Sequence, residues 1–227
     1  MKNQKAQTIS ADFDRIALLP TENWDHNLHY HEWIRQQLPS DCKSILEIGC
    51  GTGTLCRNLA APIRKIEGID LSRNMIIRAR QLSRDYPNID YQIGDFLEQD
   101  YPANSFHCIV AVATAHHMSM QAFLQKTRTL LRPGGRLILV DLYRSAQPTD
   151  YLYQMTALPV SLVLRLSRNG RLRQNQAHRK AWQAHAGGDQ YLSIKEIREL
   201  CEQYLPGASV RRRFFFRYSL LWDKPAV

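Results

Sequence analysis

The stretch KSILEIGCGTG, residues 43–53, decides the fold. It passes from a short β-branched, apolar run, Lys43 to Ile48, into three alternating glycines. TLCRNLAA at 54–61 then reads as helix, and Pro62 closes it. Strand, glycine turn and helix in that order form the first unit of an alternating β/α chain. Glycines there let the turn tighten and let a ligand touch backbone, because no Cβ intervenes. The spacing is not the dinucleotide fingerprint, which needs a further glycine three residues after the second. Glu47, inside the strand end, would repel a phosphate and attract an ammonium. No Gly-Lys-Ser/Thr ending follows, which excludes a nucleotide-triphosphate loop.

Working outward, RKIEGI at 64–69 reads as a second strand ending at Asp70. Ser72 is positioned to cap a helix carrying Met75 to Ser83. IDYQI at 89–93 is a third strand ending at Gly94-Asp95, with Phe96 next. FHCIVAVA at 106–113 is a fourth, nearly all apolar as a central parallel strand must be. A helix at 121–131, a tight Pro133-Gly134-Gly135 turn and a fifth strand, RLILVDL at 136–142, follow. Ser193 and Glu196 form a capping box for a helix at 193–205, and 210–213 with 215–222 read as a closing strand pair. The pattern predicts an α/β fold: a doubly wound, seven-stranded, mostly parallel sheet. It divides the chain into an N-terminal helical segment (1–40, with one helix over 23–38), a cofactor-binding core (41–142), a helical cap inserted after the fifth strand (143–190), and a last helix with a strand pair (191–227). Glu47, Asp70 and Asp95 end three successive strands. In such a sheet they share the edge where ligands bind, and a carboxylate there can accept ribose hydroxyls or an exocyclic amine.

Composition narrows the function. The chain has 227 residues, 44% hydrophobic, with 30 Lys plus Arg against 21 Asp plus Glu. That suits one folded domain with a cap and excludes a disordered chain. The five cysteines show no close pairing, so they read as free thiols of a reducing compartment. MKNQKAQTISADFDRIA lacks the apolar stretch of a secretory leader, and the expected location is cytoplasmic. Positive charge concentrates late. Residues 143–180 hold seven bases against Asp150, and 207–227 hold five against Asp223. Such a field suits an anionic small molecule, nucleic acid or a lipid surface.

The motifs in order resemble the class I S-adenosylmethionine-dependent methyltransferases of the small-molecule type. ILEIGCGTGTL at 45–55 resembles that family's first motif, EGIDLSRNMI at 67–77 its second-strand motif, and IGDFLE at 93–98 its adenine-side motif. VAVATAHHM at 110–118 and LLRPGGRLILVD at 130–141 resemble its fourth and fifth strand segments. The resemblance implies S-adenosyl-L-methionine as cofactor. It implies that Glu47 faces the methionine amino group and that Gly49, Cys50, Gly51 and Gly53 line the methionine and ribose. Asp70 would bind the ribose, with Leu71 and Met75 against the adenine. Asp95 would bind the adenine amine with Phe96 beside it, and Ala113 would pass under the sulfonium. Tyr30 is a further cofactor candidate, because the N-terminal helix of such enzymes closes over the cofactor. The Asn-Pro-Pro-aromatic tetrapeptide of many amino-methylating enzymes is absent, with Ala113-Thr114-Ala115-His116 in its place. That counts against nucleic acid as substrate.

Methyl transfer needs alignment, exclusion of water and a base where the nucleophile is weak. His116 and His117 are the candidate bases, because histidine takes a proton near neutrality. No metal is expected, since neither histidines nor cysteines stand at ligand spacing. The cap should choose the acceptor, with Tyr151, Tyr153 and Met155 as its wall and His185 and Tyr191 at its end. Its apolar, basic composition suits an anionic, aromatic or amphiphilic acceptor, and equally a peripheral membrane contact or a homodimer face. The competing functions are RNA methylation, supported only by charge, and a non-catalytic cofactor-binding scaffold, which the three strand-end acids oppose.

Overall fold

A computed structural model describes residues 2–20, 24–61, 63–170, 176, 179–182 and 191–226. Seven strands form one sheet: β1 (Ser44–Ile48), β2 (Lys65–Asp70), β3 (Ile89–Ile93), β4 (Phe106–Val112), β5 (Leu131–Leu142), β6 (Ser209–Arg213) and β7 (Arg217–Asp223). Their order is β3-β2-β1-β4-β5-β7-β6. The first five pair in parallel, and β7 enters antiparallel between β5 and β6. The strand order reverses between β1 and β4. In open parallel sheets that switch point opens a crevice at the carboxyl ends of the strands.

Period-two alternation buries both faces of the central strands. Leu46, Ile109, Ala111, Leu137 and Leu139 pack on one side with α5 (Met120–Leu130) and α7 (Ile194–Tyr204). Ile45, Cys108, Val110, Ile138 and Val140 pack on the other. There they meet α2 (His31–Gln37), α3 (Thr54–Leu59), α4 (Arg73–Leu82) and α6 (Pro148–Asn169). Ser72 caps α4 by accepting from Met75 N at 3.1 Å. Ser193 and Glu196 form the capping box of α7.

Two local expectations change. The single helix over 23–38 is instead a 3-10 turn, Leu28–Tyr30, followed by α2. Asp25 Oδ1 accepts from the N–H groups of Asn27 and Leu28, at 2.7 and 2.8 Å, and such side-chain bonds compete with a regular helix. Pro133-Gly134-Gly135 does not stand before the fifth strand. It bulges within it, between the pairs Phe106–Leu131 and Cys108–Arg136. In the insertion, α6 runs through Pro159 to Gly170, which ends the helix at φ +66°. An N-terminal helix, α1 (Lys2–Ile16), packs beside α4. Asp14 accepts from Ser72 Oγ at 2.6 Å and from Asn74 N at 2.9 Å, tying α1 to the loop after β2.

Candidate active site

The crevice at the switch point is a cleft of about 1040 Å³. The ends of β1, β2 and β4 form its floor, and α1, residues 24–29, His31, Glu32 and α6 form its walls. Of the residues expected at the site, it gathers Glu47, Gly49, Cys50, Gly51, Asp70, Leu71, Met75, Asp95, Phe96, Ala113, His116, His117 and Tyr191.

The glycine loop divides its labour. A Cβ on Gly49 would fall 2.0 Å from Thr114 Oγ1, and one on Gly53 would fall 2.1 Å from the Tyr91 hydroxyl. Those two glycines admit protein, so the assignment of Gly53 to ligand is corrected: it packs on Tyr91 and does not line the cleft. A Cβ on Gly51 would meet nothing within 4 Å. The open space for a ligand is therefore beside Gly51.

Asp70 Oδ2 accepts from Gly51 N at 2.9 Å, and Oδ1 accepts from Ser72 N at 2.8 Å. Burial pushes its carboxyl above the usual range, with these two backbone bonds opposing. It thus fixes the loop as well as lining the cleft. Asp95 Oδ1 accepts from Leu97 N at 2.8 Å. Phe96 is largely core, 6.0 Å from the Phe123 ring and beneath Lys126 Nζ.

Glu47 is 4% exposed and accepts from the Cys56 thiol at 2.8 Å. Burial raises its pKa from 4.5 to about 8. The folded state therefore holds a proton that the unfolded chain releases between those values. Stability from the protonated form is complete below about pH 4.5 and is lost as pH rises through about 8. Glu47→Gln is expected to remove that loss, so denaturation midpoints of wild type and variant should diverge progressively over this window. Parallel curves would show that Glu47 is ionised in the folded protein throughout.

The strongest arrangement lies past β4. His116 Nδ1 sits 2.6 Å from Asp141 Oδ1, and His116 N donates to Asp141 Oδ2 at 2.8 Å. Asp141, at the end of β5, is fully buried. A carboxylate only accepts, so Nδ1 carries the proton and Nε2 carries the basic lone pair. His117 stacks obliquely on His116 at 3.9 Å and meets the Phe13 ring of α1 edge-on at 5.8 Å. Tyr191 lies 5.1 Å from His116. The sequence reading missed Asp141, although it follows the same rule as the other acids: a carboxylate ending an apolar strand.

Four candidates lie away from the cleft, and their assignment is corrected. Tyr30 is buried in the core and donates to Phe214 O at 2.8 Å. The helix α6 turns Gln154, Ala157 and Leu164 inward, which sends Tyr151 and Met155 to the opposite side, 57% and 64% exposed. Tyr153 stacks on Phe214 at 5.2 Å. His185 lies outside the described residues. The inner side of α6 brings Arg165 and Arg168 to the cleft instead. Trp24, His26, Asn27 and Arg217 also line it, and none of these was expected.

Residues 45–135 match a family model described as a methyltransferase domain. The chain thus carries a methyltransferase domain over these residues and resembles the class I S-adenosylmethionine-dependent methyltransferases. An uncharacterized methyltransferase of Mycobacterium tuberculosis is 24% identical over 89% of this chain and 98% of its own length. A demethylmenaquinone methyltransferase of Tropheryma whipplei is 32% identical over 52% of this chain and 50% of its own. The fold resembles that of the N-methyltransferase NodS from Bradyrhizobium japonicum, solved with S-adenosyl-L-homocysteine, at a TM-score of 0.62. That likeness covers 97% of this chain and 98% of the other, at 17% identity. The cofactor of this methyltransferase is S-adenosylmethionine, and the open space beside Gly51, rimmed by acids, suits its ammonium and ribose.

Proposed function

We propose that this methyltransferase methylates a small-molecule acceptor bound beside His116, with His116 taking the acceptor's proton. The observation that carries the reading is the doubly bonded His116–Asp141 pair on the cleft wall. The cofactor supplies an electrophilic methyl group on a positively charged sulfur. A lone pair of the acceptor forms the new bond to carbon as the carbon–sulfur bond breaks toward sulfur. The displaced proton passes to Nε2 of His116, and Asp141 stabilises the imidazolium. The relative named for demethylmenaquinone supports a small-molecule acceptor. Glu47 then faces the cofactor ammonium, Asp70 the ribose and Asp95 the adenine amine, while α1 covers the adenine side with Ile9, Phe13 and Ile16. No metal takes part, and turnover should survive dialysis against EDTA.

The test is production of S-adenosylhomocysteine from a panel of acceptors sorted by charge and nucleophile. Turnover of oligonucleotides and of no small acceptor would overturn the reading in favour of RNA methylation. Asp70→Asn is expected to weaken S-adenosylhomocysteine about 10- to 100-fold by calorimetry, the cost of losing charged hydrogen bonds worth ~1.5–3 kcal/mol. Unchanged affinity in the folded variant would place the ribose elsewhere. We place the chain in the reducing cytoplasm, its cysteines being free thiols. Among the described residues no helix is long and apolar enough to cross a membrane. We assign any contact with a membrane surface or a second copy to α6, whose Tyr151, Met155, Leu158, Leu162 and Leu166 are exposed along its length.

A further inference from the structure

We propose that Arg217 seats an anionic group, carboxylate or phosphate, of the methyl acceptor. The inference rests on the small-molecule reading above and deepens it.

Arg217 opens β7, lines the cleft and is only 7% exposed. Its guanidinium donates to Asn27 Oδ1 from Nε at 3.2 Å and from Nη2 at 2.6 Å, and to Phe215 O from Nη1 at 3.2 Å. Every one of those acceptors is neutral. A guanidinium has five N–H groups, so two remain for another acceptor. The acids that act on it do so through space: Asp141 first, then Asp25. Asp141 is committed to His116 and to Leu142 N. Asp25 is committed to the backbone of Asn27 and Leu28. A buried charge with no ion-pair partner among the described residues is costly to hold, and a planar oxyanion arriving in the cleft would complete it with two parallel hydrogen bonds.

The surroundings agree on the sign. Arg165 and Arg168 reach the same cleft from α6, and Arg165 stands 5.8 Å from the Trp24 ring centre. His26 lies flat on Phe215 at 4.3 Å. Burial, with Arg217 and Arg165 adding to it, lowers the His26 pKa to about 3, so the ring is a neutral aromatic surface. Trp24, His26 and His29, set edge-on to one another, therefore offer an aromatic lining beside a positive corner. The hairpin that delivers Arg217 is itself strained, since Phe215 and Phe216 have φ of +62° and +56°. Such left-handed backbone in bulky residues persists only where the surroundings hold it.

Register fixes the corner relative to the base. Arg217 pairs with Leu142 across β5 and β7, next to the pair Asp141–Tyr218. His116 follows β4 on the other side of β5. With strands ~4.8 Å apart, the two backbones flank the end of β5 at roughly two strand spacings. An acceptor fits if its acid group and its nucleophile lie at opposite ends of its body.

The test uses the full chain saturated with S-adenosylhomocysteine. Benzoate, phenyl phosphate and the neutral benzyl alcohol are titrated by thermal shift and calorimetry. Benzoate or phenyl phosphate should stabilise it and benzyl alcohol should not, and whichever acid binds more tightly identifies the anion. Arg217→Gln should weaken the acid at least tenfold, and Arg217→Lys should restore part of that. Should Arg217→Gln fail to fold, Asn27→Asp gives the guanidinium an internal counter-ion of nearly the same shape. It should raise the melting temperature of the ligand-free protein and abolish the response to acids, with S-adenosylhomocysteine affinity unchanged. Equal binding of all three probes, no binding of either acid, or an undiminished acid response in Asn27→Asp would overturn the proposal. So would displacement of the acids by S-adenosylhomocysteine, which would assign Arg217 to the cofactor. Failure of S-adenosylhomocysteine itself to bind would instead count against the methyltransferase reading.

Discussion

His116→Ala is expected to lower kcat by roughly 10²- to 10⁴-fold, the usual range for losing a positioned general base. S-adenosylhomocysteine affinity should change little, whereas the melting temperature should fall, because the fully buried Asp141 loses the Nδ1–H donor at 2.6 Å. The loss should be largest for acceptors whose nucleophile must surrender a proton and smallest for those already ionised at the assay pH. Asp141→Asn separates holding from proton transfer. An amide can donate to Nδ1 as readily as accept from it, so the imidazole loses its fixed tautomer while its volume is kept. kcat should fall and its pH profile should shift, since the carboxylate no longer stabilises the imidazolium. Single-turnover rates with bound cofactor check both variants. An unchanged rate for His116→Ala with a protonated acceptor would remove it from the proton path.

Gly49→Ala should damage the fold and Gly51→Ala should damage function. At Gly49 the added methyl falls on Thr114 and the residue sits at φ +69°. Left-handed backbone costs an alanine ~1–2 kcal/mol and overpacking ~1–3 more. For a chain this long that corresponds to a fall of roughly 5–15 °C in melting temperature. Thr114→Gly should recover the part due to collision and leave the part due to φ. At Gly51, where φ is +52° and the methyl meets no protein atom, only the backbone cost applies. Stability should fall less, but the methyl projects into the ligand's space, so cofactor affinity should fall more than in the Thr114-rescued Gly49 variant. Calorimetry with S-adenosylhomocysteine beside thermal melts distinguishes the two. Equal profiles would mean that the loop does not divide its glycines in this way.

The edge that gathers Glu47, Asp70 and Asp95 was readable from sequence because its signals are local. A strand end, a glycine turn and an acid lie within a few residues of one another, so spacing alone puts Glu47, Asp70 and Asp95 on one edge. The acceptor half was not. Arg217 sits in RRRFFFRY, where a basic block hides the one arginine that turns inward. Asn27, its partner, is 190 residues away, and nothing in either neighbourhood announces the other. The inner face of α6 is set by Gln154, which donates to Tyr143 Oη and Arg213 O and accepts from Phe216 N. Without those contacts the aromatic first half of the insertion looked like the wall, and the structure turns Tyr151 and Met155 outward.

The antiparallel entry of β7 between β5 and β6 has a consequence for how such a molecule is made and how it changes. Apart from α1, the residues proposed to hold the cofactor lie between Glu47 and Ala113, in successive units that can dock as they leave the ribosome. The acceptor's corner waits for both ends of the chain: Asn27 must be met by Arg217, and Phe216 by Gln154. A nascent chain can therefore hold a nearly formed cofactor cradle before it has any selectivity. The match to the methyltransferase domain, over 45–135, includes none of Trp24, His26, Asn27, Arg165 and Arg217. Mutations in those flanking segments can exchange one acceptor for another while the chemistry of methyl donation passes on untouched.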